Sequence, residues 1–238
     1  MNTDGKRASV KRALGLLATL QQADSFFPGG AMAFSWGLKS LQRDGKVYNA
    51  DTLVEYLDAH LLYRWATCDQ GVLVAACKAS QADDPLSALM EVDAYAHAIS
   101  LVPSLREGSC RLGRNLASVH SKLGQAEATR FLQRIQAKQT PGHLAVVQAY
   151  VWRAGGMSDD ECRLAAAHGN CIGAVSAAVR LSLIGHLDAQ RALNLLRERL
   201  ADVLAADAPA LEAVSSCAFA IDIAALRHAQ LQPRLFAN

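Results

Sequence analysis

SDDECRLAAAHGNCIGAVSAAVRLSL, residues 158–183, is the stretch on which the fold of this chain turns. It opens with Ser158 and Glu161, spaced as a capping box in which each side chain satisfies the other residue's backbone amide and starts a helix. Beyond the cap come Ala165, Ala166, Ala167, Gly169, Gly173, Ala174, Ser176, Ala177 and Ala178. A glycine inside an isolated helix costs about 1 kcal/mol relative to alanine. Glycines in a helix of small residues therefore predict burial by neighbours, whose backbones approach closely where no large side chain intervenes. The stretch reads as a helix at the centre of a helical bundle.

Helix signals continue on both sides. Leu14, Leu17, Ala18 and Leu20 predict a first amphipathic helix, broken by the segment from Asp24 to Gly30. A second is expected from Ala31 to Leu41, stopping near Gly45. Asn49 or Asp51 caps a third, which carries Leu53, Tyr56, Leu57 and Leu61, and a fourth follows Asp69 with Val72, Leu73, Ala76 and Cys77 on its face. Asp84-Pro85 places a capping acid before proline at the first helical position, and that helix ends before Pro103. Further helices are expected over 105–123, 127–136 and 143–153, punctuated by Gly124 and Pro141-Gly142. Asp188 is expected to cap a helix through Leu204, and Pro209 to open a last one reaching about Leu231. No alternating strand pattern, fixed-period repeat or composition shift interrupts the series. The expected fold is all-α: one domain over residues 1–238, a bundle of about ten helices with the small-residue helix central, a flexible N-terminus over 1–8 and a C-terminal tail over 232–238.

Composition narrows the function. The chain of 238 residues is 51% hydrophobic and 19% charged, which excludes disorder for most of its length. A formal net charge of +2 gives no clustered basic face for nucleic acid, and Lys6, Arg7, Lys11 and Arg12 read as a solvated N-terminus. The six cysteines form no C-x-x-C pair, and most of them read as small buried hydrophobes in a reducing compartment. The polar start lacks the apolar core of a signal peptide, and no apolar run is long enough to span a bilayer, so the expected location is the cytoplasm.

Chemistry is sparse. Gly5-Lys6 and Gly45-Lys46 are followed by Arg7 and Val47, so neither ends a phosphate-binding loop. The zinc-protease pattern H-E-x-x-H and the hydrolase pattern G-x-S-x-G are absent. His168 and Cys171 share a helix face, yet two ligands do not close a site, and the pair reads as a buried histidine beside a core cysteine. His60, His97, His120, His143, His186 and His228 are scattered singly and read as surface or hydrogen-bonded residues. Asp83-Asp84 sits where a helix cap is expected. Many helices without a catalytic constellation fit a scaffold better than an enzyme. Two rivals make other demands. A ligand-responsive helical transcription regulator needs a basic recognition helix, but the second helix carries one base, Lys39. A helical metalloenzyme needs inward His and Asp ligands, and no His-Asp doublet is found.

Four stretches, in order along nearly the whole chain, carry a resemblance. The first is Phe27-Pro28-Gly29-Gly30-Ala31-Met32-Ala33-Phe34-Ser35-Trp36-Gly37-Leu38, and the second is Leu105-Arg106-Glu107-Gly108-Ser109-Cys110-Arg111-Leu112-Gly113-Arg114. The third is Ala178-Val179-Arg180-Leu181 with Gly185-His186-Leu187-Asp188-Ala189-Gln190-Arg191, and the fourth is Arg227-His228 with Arg234-Leu235-Phe236. Together they resemble the UreF family of urease accessory proteins. The chain departs from the family pattern at Lys39, where glutamate is usual, at His186, where glutamine is usual, at Gln148-Ala149, where a glycine is expected, and at Ala237-Asn238 in place of Arg-Ser.

The resemblance implies an all-helical, non-enzymatic homodimer. Such a protein binds UreD (also called UreH), recruits the GTPase UreG, and docks on apo-urease for GTP-dependent nickel insertion. It implies no catalytic or metal-ligating residue and no permanently bound cofactor, nickel being handled by the complex. Nucleic acid and membrane are not among the implied partners. The partner-binding residues carried over by resemblance are Pro28, Gly30, Ser35, Gly37, Arg180, Asp188, Gln190, His228, Arg234, Leu235 and Phe236.

Overall fold

The computed structural model describes residues 3–24, 26–28 and 37–228. Helices are the only regular elements among them: α1 (Thr3–Ala23), α2 (Leu38–Arg43), α3 (Ala50–His60), α4 (Gln70–Ala79), α5 (Pro85–Ile99), α6 (Pro103–Lys122), α7 (Ala126–Gln136), α8 (Leu144–Ala154), α9 (Asp159–Arg180), α10 (His186–Ala205) and α11 (Phe219–His228). No helix among the described residues is long and apolar enough to cross a membrane.

The small-residue helix is central. α10, α1, α8, α4, α3 and α2 all pack against α9, which buries Ala165, Ala166, Ala167, Cys171, Gly173, Ala174, Ala177 and Ala178. Its start has the expected reciprocal cap: Glu161 N donates to Ser158 Oγ at 3.2 Å, and Ser158 N donates to Glu161 Oε2 at 2.6 Å. Asn49, not Asp51, caps α3 by accepting from Thr52 N at 2.9 Å. Asp84 caps α5, with Pro85 at its first position.

Local rules are overridden in four places. First, α3 and α4 are not separated. Leu61–Asp69 joins them as a π-helical segment, closed where Gln70 N donates to the Trp65 carbonyl. Second, Pro209 does not open a helix. The chain there runs as a strap, with a single 3-10 turn at Leu211–Ala213, before α11 begins at Phe219. Ser215 N and Cys217 N donate to the carbonyls of Thr67 and Tyr63, both 3.0 Å away, so the strap satisfies its amides on the π-helical segment. Gly71 makes room for it, since a Cβ there would run into Val214 and stand 2.9 Å from the Pro209 carbonyl oxygen. Arg64 on the same segment lies between Asp69, at 3.3 Å, and Asp222 of α11, at 3.7 Å, so the one acid in the final apolar run has an ion-pair partner.

Third, Asp188 is not the N-cap of α10. Gly185 holds that position, and Asp188 sits in the first turn, where it favours the positive helix end and pairs with Arg191 at 2.8 Å. Fourth, α1 is turned outward. It buries Gly15 and Thr19, and Gln22 Oε1 accepts from Trp152 Nε1 at 2.8 Å. Its large apolar residues form an outer stripe, with exposure from 52% at Val10 to 68% at Leu20 and with Leu14 and Leu17 between.

One buried carboxylate organises the turn before α8. Asp93 on α5 is fully buried and accepts from Thr140 Oγ1 at 2.5 Å, Gly142 N at 2.6 Å and His143 N at 2.8 Å. Burial pushes this carboxyl up from its ordinary value, and the three donors pull it back.

Two substitutions test these supports. Gly71→Ala is expected to lower stability by about 1–3 kcal/mol in a denaturant titration, with faster amide exchange at Ser215 and Cys217. Unchanged stability and exchange would remove the strap from the structure's supports. Asp93→Ala strands three donors at about 1–3 kcal/mol each and is expected to lower the melting temperature far more than alanine at the exposed Asp160 does.

Candidate partner-binding surface

Gly37 enters α2 with φ 83°, a conformation that favours glycine. A Cβ there would lie 3.1 Å from the Ala224 Cβ, 3.2 Å from the Ala225 amide nitrogen and 3.3 Å from the Ile221 carbonyl oxygen. Gly37 is thus the seat of α11, buried and not displayed. The seating is reinforced across the surface by Arg227 and Asp44, 2.5 Å apart, and beneath by Ser104 Oγ, which donates to the Ala225 carbonyl at 3.2 Å. The outer side of α11 is apolar and uncovered. Phe219, Ile223 and Leu226 recur at helical spacing and are 70%, 55% and 52% exposed. Beyond α11 comes the tail.

Other expected contact residues fall nearby. Pro28 is exposed, and its carbonyl accepts from Asn115 Nδ2 at 3.2 Å. The two phenylalanines before it divide: Phe26 is 92% exposed, and Phe27 is half-buried against His120, with ring centroids 5.5 Å apart. Arg180 and Gln190 come together in a groove of about 500 Å³ between α9 and α10, with His186, Leu187, Val179 and Leu193 around them. Asp188 lies in the first turn of α10, directed to Arg191. Gln42 Nε2 on α2 donates to the Leu181 carbonyl at 3.3 Å, so this groove adjoins the α2–α11 end of the bundle. His228 closes α11. Gly30, Ser35, Arg234, Leu235 and Phe236 lie outside the described residues.

Sequence reasoning passed over the α1 and α11 stripes as displayed surfaces. Their spacing was visible, but spacing marks an apolar face without saying what covers it. It also passed over a polar cluster. Among the described residues, one group of His, Cys, Asp or Glu side chains could share a cation: His97, Cys110 and His143, whose ligand atoms lie within 4.8 Å of one another. His168 and Cys171, the pair that looked most metal-like, are respectively half-buried and fully buried in the core, outside any such group. Burial lowers the basicity of His168 and raises the Cys171 thiol to about 12, which suits packing.

Comparison with known proteins bears on this arrangement. The sequence pattern of the UreF family matches residues 47–197. The chain is similar to the urease accessory protein UreF of Trichodesmium erythraeum, 30% identical over 228 residues that cover 93% of this chain and 96% of the relative. It is similar to that of Yersinia enterocolitica, 30% identical with 95% and 99% covered, and to that of Actinobacillus pleuropneumoniae, 29% identical with 92% and 97% covered. The likeness runs through the central helix, the π-helical segment and the α9–α10 groove as one continuous match, and on that basis the chain belongs to the UreF family.

Proposed function

We propose that the chain is a non-catalytic scaffold of urease maturation. As a homodimer in the cytoplasm, it binds UreD (UreH) and recruits the GTPase UreG, so that nickel is inserted into apo-urease at the expense of GTP. Nickel is cargo of the complex, and this chain holds no permanent cofactor and hydrolyses no GTP itself. The observation that carries the reading is the uncovered apolar side of α11, with Phe219, Ile223 and Leu226 displayed at the root of the tail. Exposed apolar residues gathered on one helix face mark an interaction surface. Arg234, Leu235 and Phe236 follow in the sequence, residue types that anchor well in a partner's groove.

Within this scheme Gly37 acts indirectly. By admitting α11 at van der Waals distance it sets how α11 and its apolar face are presented. Arg180 and Gln190 offer a second, polar contact in the adjoining groove, and the outward stripe of α1 a third. Two copies related by a two-fold axis would present each surface twice, matching a dimeric partner.

The test is co-purification with UreD and UreG, comparing the full chain, a chain lacking residues 234–238, and Ile223→Glu. The full chain is expected to form a complex, and the truncated chain to lose UreD or UreG. Ile223→Glu, at an exposed position, is expected to keep its melting temperature and weaken partner affinity at least about 10-fold, the effect of a modest interface hot spot. A folded full-length chain that binds neither partner would overturn the reading.

A further inference from the structure

His97 lies in the last turn of α5, Cys110 in the middle of α6, and His143 at the residue that precedes α8. Three separate elements thus deliver their nitrogen and sulfur atoms to one point. His97 Nδ1 is 3.1 Å from His143 Nε2, and Cys110 Sγ is 3.5 Å from the same nitrogen. Around a tetrahedral cation with bonds of 2.0–2.3 Å, ligand atoms stand about 3.5 Å apart. Two of the three separations are thus already within a few tenths of an ångström of that spacing, and the third, between His97 and Cys110, lies within 4.8 Å, so side-chain adjustment of about 1 Å or less brings the three around an ion.

The support behind the cluster is already built. The Asp93 carboxylate fixes the His143 backbone through its amide. Ser109 Oγ is 3.1 Å from the Leu144 amide, which can only donate, and 3.1 Å from His143 Nδ1. Ser109 Oγ has lone pairs enough to accept from both, and in that tautomer Nδ1 carries the ring proton and the Nε2 lone pair faces His97 and Cys110, the form a cation selects. An outer hydrogen bond of this kind orients metal-binding histidines generally. His143 is buried, Cys110 half-buried and His97 exposed, so the cluster has a protein floor and a solvent mouth.

We propose that His97, Cys110 and His143 form an exchangeable site for a divalent cation of borderline softness, the zinc and nickel class, with two imidazoles and one thiolate as ligands and a fourth position open to solvent. The donor set selects the class: imidazole and thiolate favour zinc, nickel and copper over magnesium or calcium. Burial holds His143 down to about 4, so its nitrogen is unprotonated at neutral pH. Burial and the Asp93 charge push the Cys110 thiol up to about 11, so each cation bound releases the thiol proton to solvent. Arg106 and Arg114 act against a cation here, and Asp93 acts for it. All three ligands come from this chain, so binding of the ion needs no docked partner.

The experiment is a Co(II) titration of the full-length chain, purified through a chelator and followed by absorption, with Zn(II) and Ni(II) as competitors. One Co(II) per chain is expected, with a thiolate-to-cobalt charge-transfer band that Zn(II) displaces. Cys110→Ser is expected to abolish the band, and His97→Ala, at an exposed position, to weaken binding at least about 10-fold without moving the melting temperature. Absence of binding would overturn the proposal. So would a band that survives Cys110→Ser, which would place the ion on another thiol such as the exposed Cys217, or an affinity unchanged in His97→Ala.

Discussion

Close packing against the small-residue side of α9 is the constraint on which the rest of this molecule depends. A helix faced with Ala165, Ala166, Ala167, Gly173, Ala174, Ala177 and Ala178 contributes little apolar area per residue. Its stability comes from the partners it admits, which fill the space that larger side chains would occupy. Six helices reach α9 for that reason, and larger core residues such as Trp65, Phe131, Leu57 and Leu73 come from the surrounding elements. Enlarging one alanine on that face would move several helices at once, because interiors packed to this density have no spare volume.

The periphery follows from that centre. With α3, the π-helical segment and α4 drawn past α9 as one continuous element, the carbonyls of Tyr63 and Thr67 are placed to receive the amides of the strap. The strap in turn delivers α11 to Gly37, where a backbone without a side chain lets two helices meet. A chain of close approaches, Gly71 under the strap and Gly37 under α11, therefore runs from the core to the displayed apolar face. The apolar face of α11 is closely packed at its root, and a binding face held in place before docking loses less entropy on docking.

Much of this was readable from residues. Ser158 with Glu161, and Asp84 with Pro85, mark helix starts through chemistry confined to a few neighbouring positions, and the structure honours both; for α3 the sequence offered Asn49 or Asp51, and the structure uses Asn49. The unreadable parts depend on distant partners. Nothing local announces π-helical winding over Leu61–Asp69. Pro209 has the look of a helix start, but the amides beyond it find carbonyls on another element, and the strap results. Asp188 is a good capping residue, yet Gly185 takes the cap and leaves it to Arg191. The stripes of α1 and α11 could be located, but which side faces the core depends on the neighbours of Gly15 and Ala225. His97, Cys110 and His143 come from three elements, and spacing rules that operate within one helix do not join them.

A scaffold acts by what it holds together, so its contribution is visible in the output of the whole assembly. The most direct measurement is urease activity recovered from purified apo-urease, UreD, UreG, GTP and nickel, with and without this chain. The account predicts that activation requires the chain, rises with its amount up to stoichiometry, and fails when the face around Ile223 is made acidic. Equal activation in its absence would contradict the central claim and leave the UreF fold here with a different task.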